Sequence, residues 1–282
     1  MKVGIIGLGL IGGSMAKAVK FNTGNEVLGW DISEPICYRA KLVGAVDDFL
    51  LEGHPGDCDI VIVALYPKEA LEYILEHKAD FKKGAIVVDC CGIKTQICET
   101  VGPIAHEYGF SFVGGHPMAG IERSGFAFSN PDIFQGATMI LTPEKGESLP
   151  MMGDLSFFFR SLGFGNLKIT TWQEHDQMIA YTSQLAHVVS SAYIKNDLSH
   201  KYKGFSAGSF QDMTRVAKLN ENMWTELFMK NREYLAEEVK QLMGRLELYL
   251  DAIENVDEET MKKLLREGRE KRQAIEEEPE FE

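Results

Sequence analysis

Positive charge is what this chain of 282 residues has least of: 29 Lys and Arg stand against 42 Asp and Glu, a formal net charge of −13. Binding a phosphate backbone needs a basic face, so the deficit argues against nucleic acid as a partner. Part of the acidic excess is local, since Glu276, Glu277, Glu278, Glu280 and Glu282 crowd the carboxyl end and read as a solvated tail. No uninterrupted apolar run approaches the ~20 residues that a membrane helix needs, which sets aside a membrane partner. The first six residues run straight into a glycine loop and leave no room for a signal peptide, so the expected location is cytoplasmic. Cysteine is sparse too: Cys37, Cys58, Cys90, Cys91 and Cys98 are odd in number and contain no CxxC spacing, so buried thiols are expected and not a disulfide framework.

What is present is an ordinary globular composition, 45% hydrophobic and 25% charged, long enough for two medium domains. Short apolar runs near residues 3–6, 26–30, 60–65, 85–88, 111–113 and 137–141 alternate with helical patterns at 11–21, 67–77, 95–108 and 149–162. That alternation predicts a parallel sheet with crossover helices. Beyond residue 170 the pattern is helical only, with long segments at 173–194 and 220–253. The expected class is therefore α/β: a Rossmann-type parallel sheet over residues 1–170, followed by an all-α domain over 171–282. In the latter, Leu235, Val239, Leu242, Leu246 and Tyr249 form an apolar stripe, suited to core packing or to a homodimer interface.

Gly7, Gly9 and Gly12 give the GxGxxG spacing after a strand and at the start of a helix, with Leu8, Leu10 and Ile11 between them. The glycines allow a tight turn, close approach of the backbone to a pyrophosphate, and close packing of helix on strand. Asp31 follows the next strand at a spacing that suits a carboxylate on the adenosine ribose, which favours NAD over NADP. The competing reading is that Asp31 caps a helix starting near Pro35, a task for which Ser33 is also available. Ala64 and Leu65, at the carboxyl end of a later strand, are further cofactor candidates.

An oxidation at a hydroxyl-bearing carbon also needs a base, and a neutral imidazole suits that role near neutral pH. Among seven histidines, His116 stands out, on a predicted loop between Gly114-Gly115 and Pro117-Met118-Ala119-Gly120. The flanking residues let the backbone approach a ligand and fix the direction of the ring.

His116-Pro117-Met118-Ala119-Gly120, together with the glycine loop and the helical half, resembles the prephenate/arogenate dehydrogenase family of tyrosine biosynthesis. Further matching segments are 89–94, 183–187, 210–215, Asn222-Met223-Trp224 and Asn231. The resemblance spans residues 3–255. It implies NAD-dependent oxidative decarboxylation of a cyclohexadienyl substrate, prephenate or else arogenate, with no metal. It assigns His116 the hydroxyl proton and Arg215 the ring carboxylate, places His187 near the substrate side chain, and puts Glu122 at the pocket. Two of these also have simpler readings: for Arg215 a surface ion pair with Asp212, and for His187 a buried structural histidine on an amphipathic helix. Two departures stand out: Gly92 replaces a serine that many relatives carry beside the histidine, and Gln211 replaces a lysine of some prephenate-directed members. Two other classes remain open, a hydroxyacid dehydrogenase using Lys195 or Lys201, and a non-catalytic NAD sensor.

Overall fold

Alternate residues of the central strands face opposite sides of the sheet, and both sides are dry. Val3, Ile5, Ile62 and Val88 pack into one buried cluster, while Ile6, Val61, Val63 and Val87 pack into another. All eight are fully buried. Burying such branched side chains contributes roughly 1.5–3 kcal/mol each, which is why these strands carry no polar alternation. The computed structural model describes residues 1–121, 123–144, 146 and 148–278.

The strands are β1 Lys2–Ile6, β2 Glu26–Trp30, β3 Asp48–Phe49, β4 Ile60–Val63, β5 Ile86–Asp89, β6 Ser111–Met118, β7 Thr138–Pro143 and β8 Asn166–Ile169. They form one sheet in the order β3-β2-β1-β4-β5-β6-β7-β8. Between them run α1 Leu10–Asn22, α2 Glu34–Leu42, α3 Pro67–Glu76, α4 Thr95–Tyr108 and α5 Leu149–Ser161. After β8 come α6 Trp172–Ile179, α7 Leu185–Tyr193, α8 Ser209–Thr214, α9 Glu221–Lys230, α10 Arg232–Glu254 and α11 Glu258–Glu277. Strand order reverses between β1 and β4, the switch point at which open parallel sheets expose a ligand crevice.

Three expectations need correction. The sheet is not wholly parallel, because β6 pairs antiparallel with β7, His116 opposite Ile140. His116 accordingly sits inside a strand and not on a loop: Gly114, Gly115 and Pro117 look like breakers, but the ladder with β7 carries β6 through to Met118. The second helical segment is also interrupted. A π-helical turn, Ala180–Gln184, continues α6 into α7 as one helical run, whereas α9 ends at Asn231 before α10 begins.

The described chain divides into two compact units, Met1–Arg232 and Glu233–Glu282. The first holds the sheet and the helices through α9. In the second, the backbone turns at Val256 (φ +50°) between α10 and α11, and the Tyr249 hydroxyl donates to the Leu264 carbonyl at 3.4 Å. Along α10 Leu235 is buried, whereas Met243, Leu246, Leu248, Leu250 and Ile253 are more than half exposed.

Candidate active site

The glycine loop is closed by its own backbone. Gly7 has φ +84°, and a Cβ on it would lie 2.7 Å from the Ala64 carbonyl oxygen and 2.7 Å from Leu65. A Cβ on Gly12 would lie 1.8 Å from the Gly7 carbonyl oxygen, so no side chain is possible there. Around Gly9 a Cβ would meet nothing within 4 Å, which leaves that face open. α1 begins at Leu10 with no side-chain cap and no acidic residue in its first turn. Its first N–H groups therefore point outward without intrahelical partners, an arrangement that favours an anion. These residues fit a pyrophosphate.

Asp31, just past the end of β2, accepts hydrogen bonds from the Leu8 N–H at 2.9 Å and from the Ser33 N–H at 2.9 Å. Its carboxylate ties the glycine loop to β2. It does not cap α2, whose N-cap, Ser33, makes no side-chain bond either. Leu8 is buried under the loop, and Ile11 packs against the same core.

His116 lies three strands from β1, about 14 Å across the sheet, a span that an extended dinucleotide bridges. Behind it is a dry chain of polar groups. His116 Nδ1 is 2.9 Å from His175 Nε2, and His175 Nδ1 is 2.7 Å from Asp176 Oδ1. Asp176 also accepts from the Lys94 N–H at 2.8 Å and the Thr95 N–H at 2.7 Å. Beneath this, Lys94 Nζ pairs with Asp89, both side chains fully buried. Asp89 further accepts from the Cys91 N–H at 2.8 Å and the Gly115 N–H at 3.1 Å, holding the strand next to His116.

Burial, helped by the neighbouring His175 and by the Lys94 charge, holds the His116 pKa well below the ordinary histidine value. Burial lowers His175 as well, against the opposing pull of Asp176. For Asp176 burial acts the other way, but hydrogen bonds from His175 and Thr95 prevail and keep it ionised. Both imidazoles are thus neutral at neutral pH, beside a carboxylate.

On the open side of His116, a Cβ on Gly92 would lie 3.8 Å from Nε2 and 3.5 Å from Leu227 of α9. One turn earlier on α9, Trp224 packs on the His187 ring, centroids 3.9 Å apart. His187 Nδ1 is also 3.0 Å from the Val216 carbonyl oxygen, and Arg215 is the neighbour of Val216 in the chain. α9 therefore joins His116 on one side to His187 and the Arg215 turn on the other. Arg215 is exposed at the end of α8. Glu122 lies outside the described residues. Gly114 and Gly115 face protein, not ligand: side chains there would strike Thr142 and Cys98, or Asp89 and Met139. Lys195 and Lys201 are exposed.

Two family models match most of the chain: the prephenate dehydrogenase nucleotide-binding domain matches residues 15–163 and the prephenate dehydrogenase dimerization domain matches 171–267. The chain belongs to the prephenate dehydrogenase family. It is 30% identical to the prephenate dehydrogenase of Lactococcus lactis subsp. cremoris, over 98% of this chain and 77% of that one. Among solved structures it is similar to the prephenate dehydrogenase of A. aeolicus in complex with hydroxyphenyl propionate and NAD+, at TM-score 0.85 and 26% identity, covering 98% of each chain. The arogenate dehydrogenase of Synechocystis is similar too, at TM-score 0.83 and 25% identity, covering 98% of this chain and 100% of that one.

Sequence reasoning missed His175, Asp176 and the Asp89–Lys94 pair as parts of the site. Asp89 and Lys94 stood in a family-like segment, yet nothing in the spacing said that they pair. His175 and Asp176 sit one turn after Thr171, the N-cap of α6, where polar residues ordinarily read as solvated. Both are buried. A second histidine cluster lies elsewhere, at the loop before β4 and the end of α3. His54 and His77 each place Nδ1 2.9 Å from the same Asp80 oxygen, and these hydrogen bonds clip the loop to the helix.

Proposed function

We propose that this protein is an NAD-dependent prephenate dehydrogenase, converting prephenate to 4-hydroxyphenylpyruvate and carbon dioxide in tyrosine biosynthesis. The observation that carries the proposal is His116: a neutral imidazole whose Nε2 faces Gly92 and α9 while its Nδ1 is held from behind. The loop of Gly7, Leu8, Gly9, Leu10, Ile11 and Gly12, beside Ala64 and Leu65, would hold NAD, which when bound would supply the hydride acceptor for C4 of the substrate. Asp31 receives the adenosine ribose and disfavours the additional phosphate of NADP.

In this reading His116 accepts the C4 hydroxyl proton on Nε2. The electrons of the bond from C1 to its carboxylate stay in the ring as carbon dioxide leaves, the ring becomes aromatic, and the proton returns to the phenolic oxygen. Atoms and charge balance with no net proton taken up. Aromatisation supplies much of the driving force, so the residues chiefly position the substrate and move one proton. Arg215 pairs with the ring carboxylate, its planar fork suiting a bidentate contact. His187, braced by Trp224, lines the side-chain end. Residues 1–170 serve the cofactor and residues 171–282 the substrate and a homodimer contact, for which the exposed apolar side chains of α10 and the family's dimerization domain speak. A cytoplasmic location fits a biosynthetic enzyme.

Arogenate is the second reading, supported by the likeness to an arogenate dehydrogenase and by Gln211 in place of a lysine. Steady-state assays with NAD and NADP against prephenate, arogenate and a panel of 3-hydroxyacids decide between them. The expected result is the highest kcat/KM with prephenate and NAD. Turnover of 3-hydroxyacids alone would overturn the proposal.

A further inference from the structure

The polar chain behind His116 fixes which of its two nitrogens can act as a base. Asp176 is ionised and already accepts two backbone N–H groups, so it has no proton to give to His175. The 2.7 Å contact between His175 Nδ1 and Asp176 Oδ1 therefore requires the proton on His175 Nδ1. Because His175 is neutral, its Nε2 is a bare lone pair. The 2.9 Å contact with His116 Nδ1 is then a hydrogen bond donated by His116. A neutral His116 with its proton on Nδ1 has a free lone pair on Nε2, facing Gly92.

We infer that His175, itself oriented by Asp176, is a positioning residue that locks His116 in the Nδ1–H tautomer and so makes Nε2 the proton acceptor. In water the opposite tautomer of histidine is the commoner one, so the protein must impose this one. The same chain serves the protonated state. When the substrate O–H bond breaks and the Nε2–H bond forms, the imidazolium keeps its Nδ1–H on His175. Its charge is partnered through that ring with Asp176, in a site where an isolated buried cation would be costly. The groups facing the two rings include one cation, Lys94, and it is already paired with Asp89. The role in catalysis rests on the proposed function; the tautomer does not.

The test separates the two. Nitrogen-15 spectra of the imidazoles in the ligand-free protein read the tautomer of His116 directly, with His116→Asn assigning the signals. The expected pattern is protonated Nδ1 and bare Nε2; protonated Nε2 overturns the inference whatever the substrate proves to be. Two variants then test its consequence. His175→Leu, which cannot accept a hydrogen bond, should lower kcat about 10²-fold with KM and NAD affinity nearly unchanged, and should release His116 to the Nε2–H form. His175→Gln, whose amide oxygen can accept from Nδ1, should keep the tautomer and recover most of kcat. If His175→Leu does not fold, the wild-type spectrum and the Gln variant still decide. Equal losses in both variants, with the tautomer unmoved, would reduce His175 to a structural role.

Discussion

The two sides of His116 are built differently. Behind it four polar side chains are buried and partnered: His175, Asp176, Lys94 and Asp89 form a continuous set with two backbone N–H groups on each carboxylate. In front, Arg215 is exposed and His187 half-buried, on short helices and turns. The contrast teaches that the side proposed to handle the proton is preorganised by the fold, whereas the side proposed to hold the substrate is set among lightly buried elements. Electrostatic preorganisation of the first kind needs a dry surround, since water would supply competing partners.

The sharpest way to break this comparison is to remove the ring itself. His116→Asn should cut kcat about 10³-fold with little effect on NAD binding, measured by steady-state kinetics and cofactor titration; a loss below tenfold would take His116 out of the chemistry. Next comes the buried pair. Lys94→Met leaves Asp89 charged and without its cation, and should cost about 3–5 kcal/mol of stability, read by denaturant unfolding. A cost under 1 kcal/mol would mean that the dry side is not preorganised by this pair. On the open side, Arg215→Ala should raise KM for prephenate some tenfold to a hundredfold, about 1.4–2.8 kcal/mol. An unchanged KM would remove Arg215 from the substrate. The smallest effect is expected at the cofactor edge: Asp31→Ser should narrow the preference for NAD over NADP, on the order of tenfold. It should also loosen the loop, because Leu8 N–H loses its acceptor.

How much of this was legible in the sequence follows the same division. The dry α/β half was readable because its cause is local: continuous Val and Ile runs, and glycines whose absence of Cβ is demanded by the Gly7 and Gly12 contacts. α4 matches the expected range at both ends, closed by Gly109 in the left-handed conformation. The misses are tertiary. β6 runs through two glycines and a proline because β7 pairs with it. The long helical segment at 220–253 breaks at Asn231, whose side chain ties it to the preceding helices. Asn231 donates to the Asp176 carbonyl at 2.9 Å and to Gln184 at 2.8 Å. β3 and β8 are too short and too exposed to leave an apolar signature. In the site, motif residues such as His116 were visible, but its partner His175 lies 59 positions away, and no spacing rule connects them.

The pH dependence of kcat/KM with prephenate tests the central claim most directly. In the free protein His116 stays unprotonated until the pH falls well below the ordinary histidine value of about 6.5, because burial penalises its charged form. Activity should therefore persist below that pH, with an acid limb reporting His116 that disappears from the residual rate of His116→Asn. The same depressed pKa makes folding less favourable as pH drops from about 6.5 towards the folded value, since the unfolded chain takes up the proton first. An acid limb at or above the ordinary histidine value, or one that survives unchanged in His116→Asn, would contradict the account.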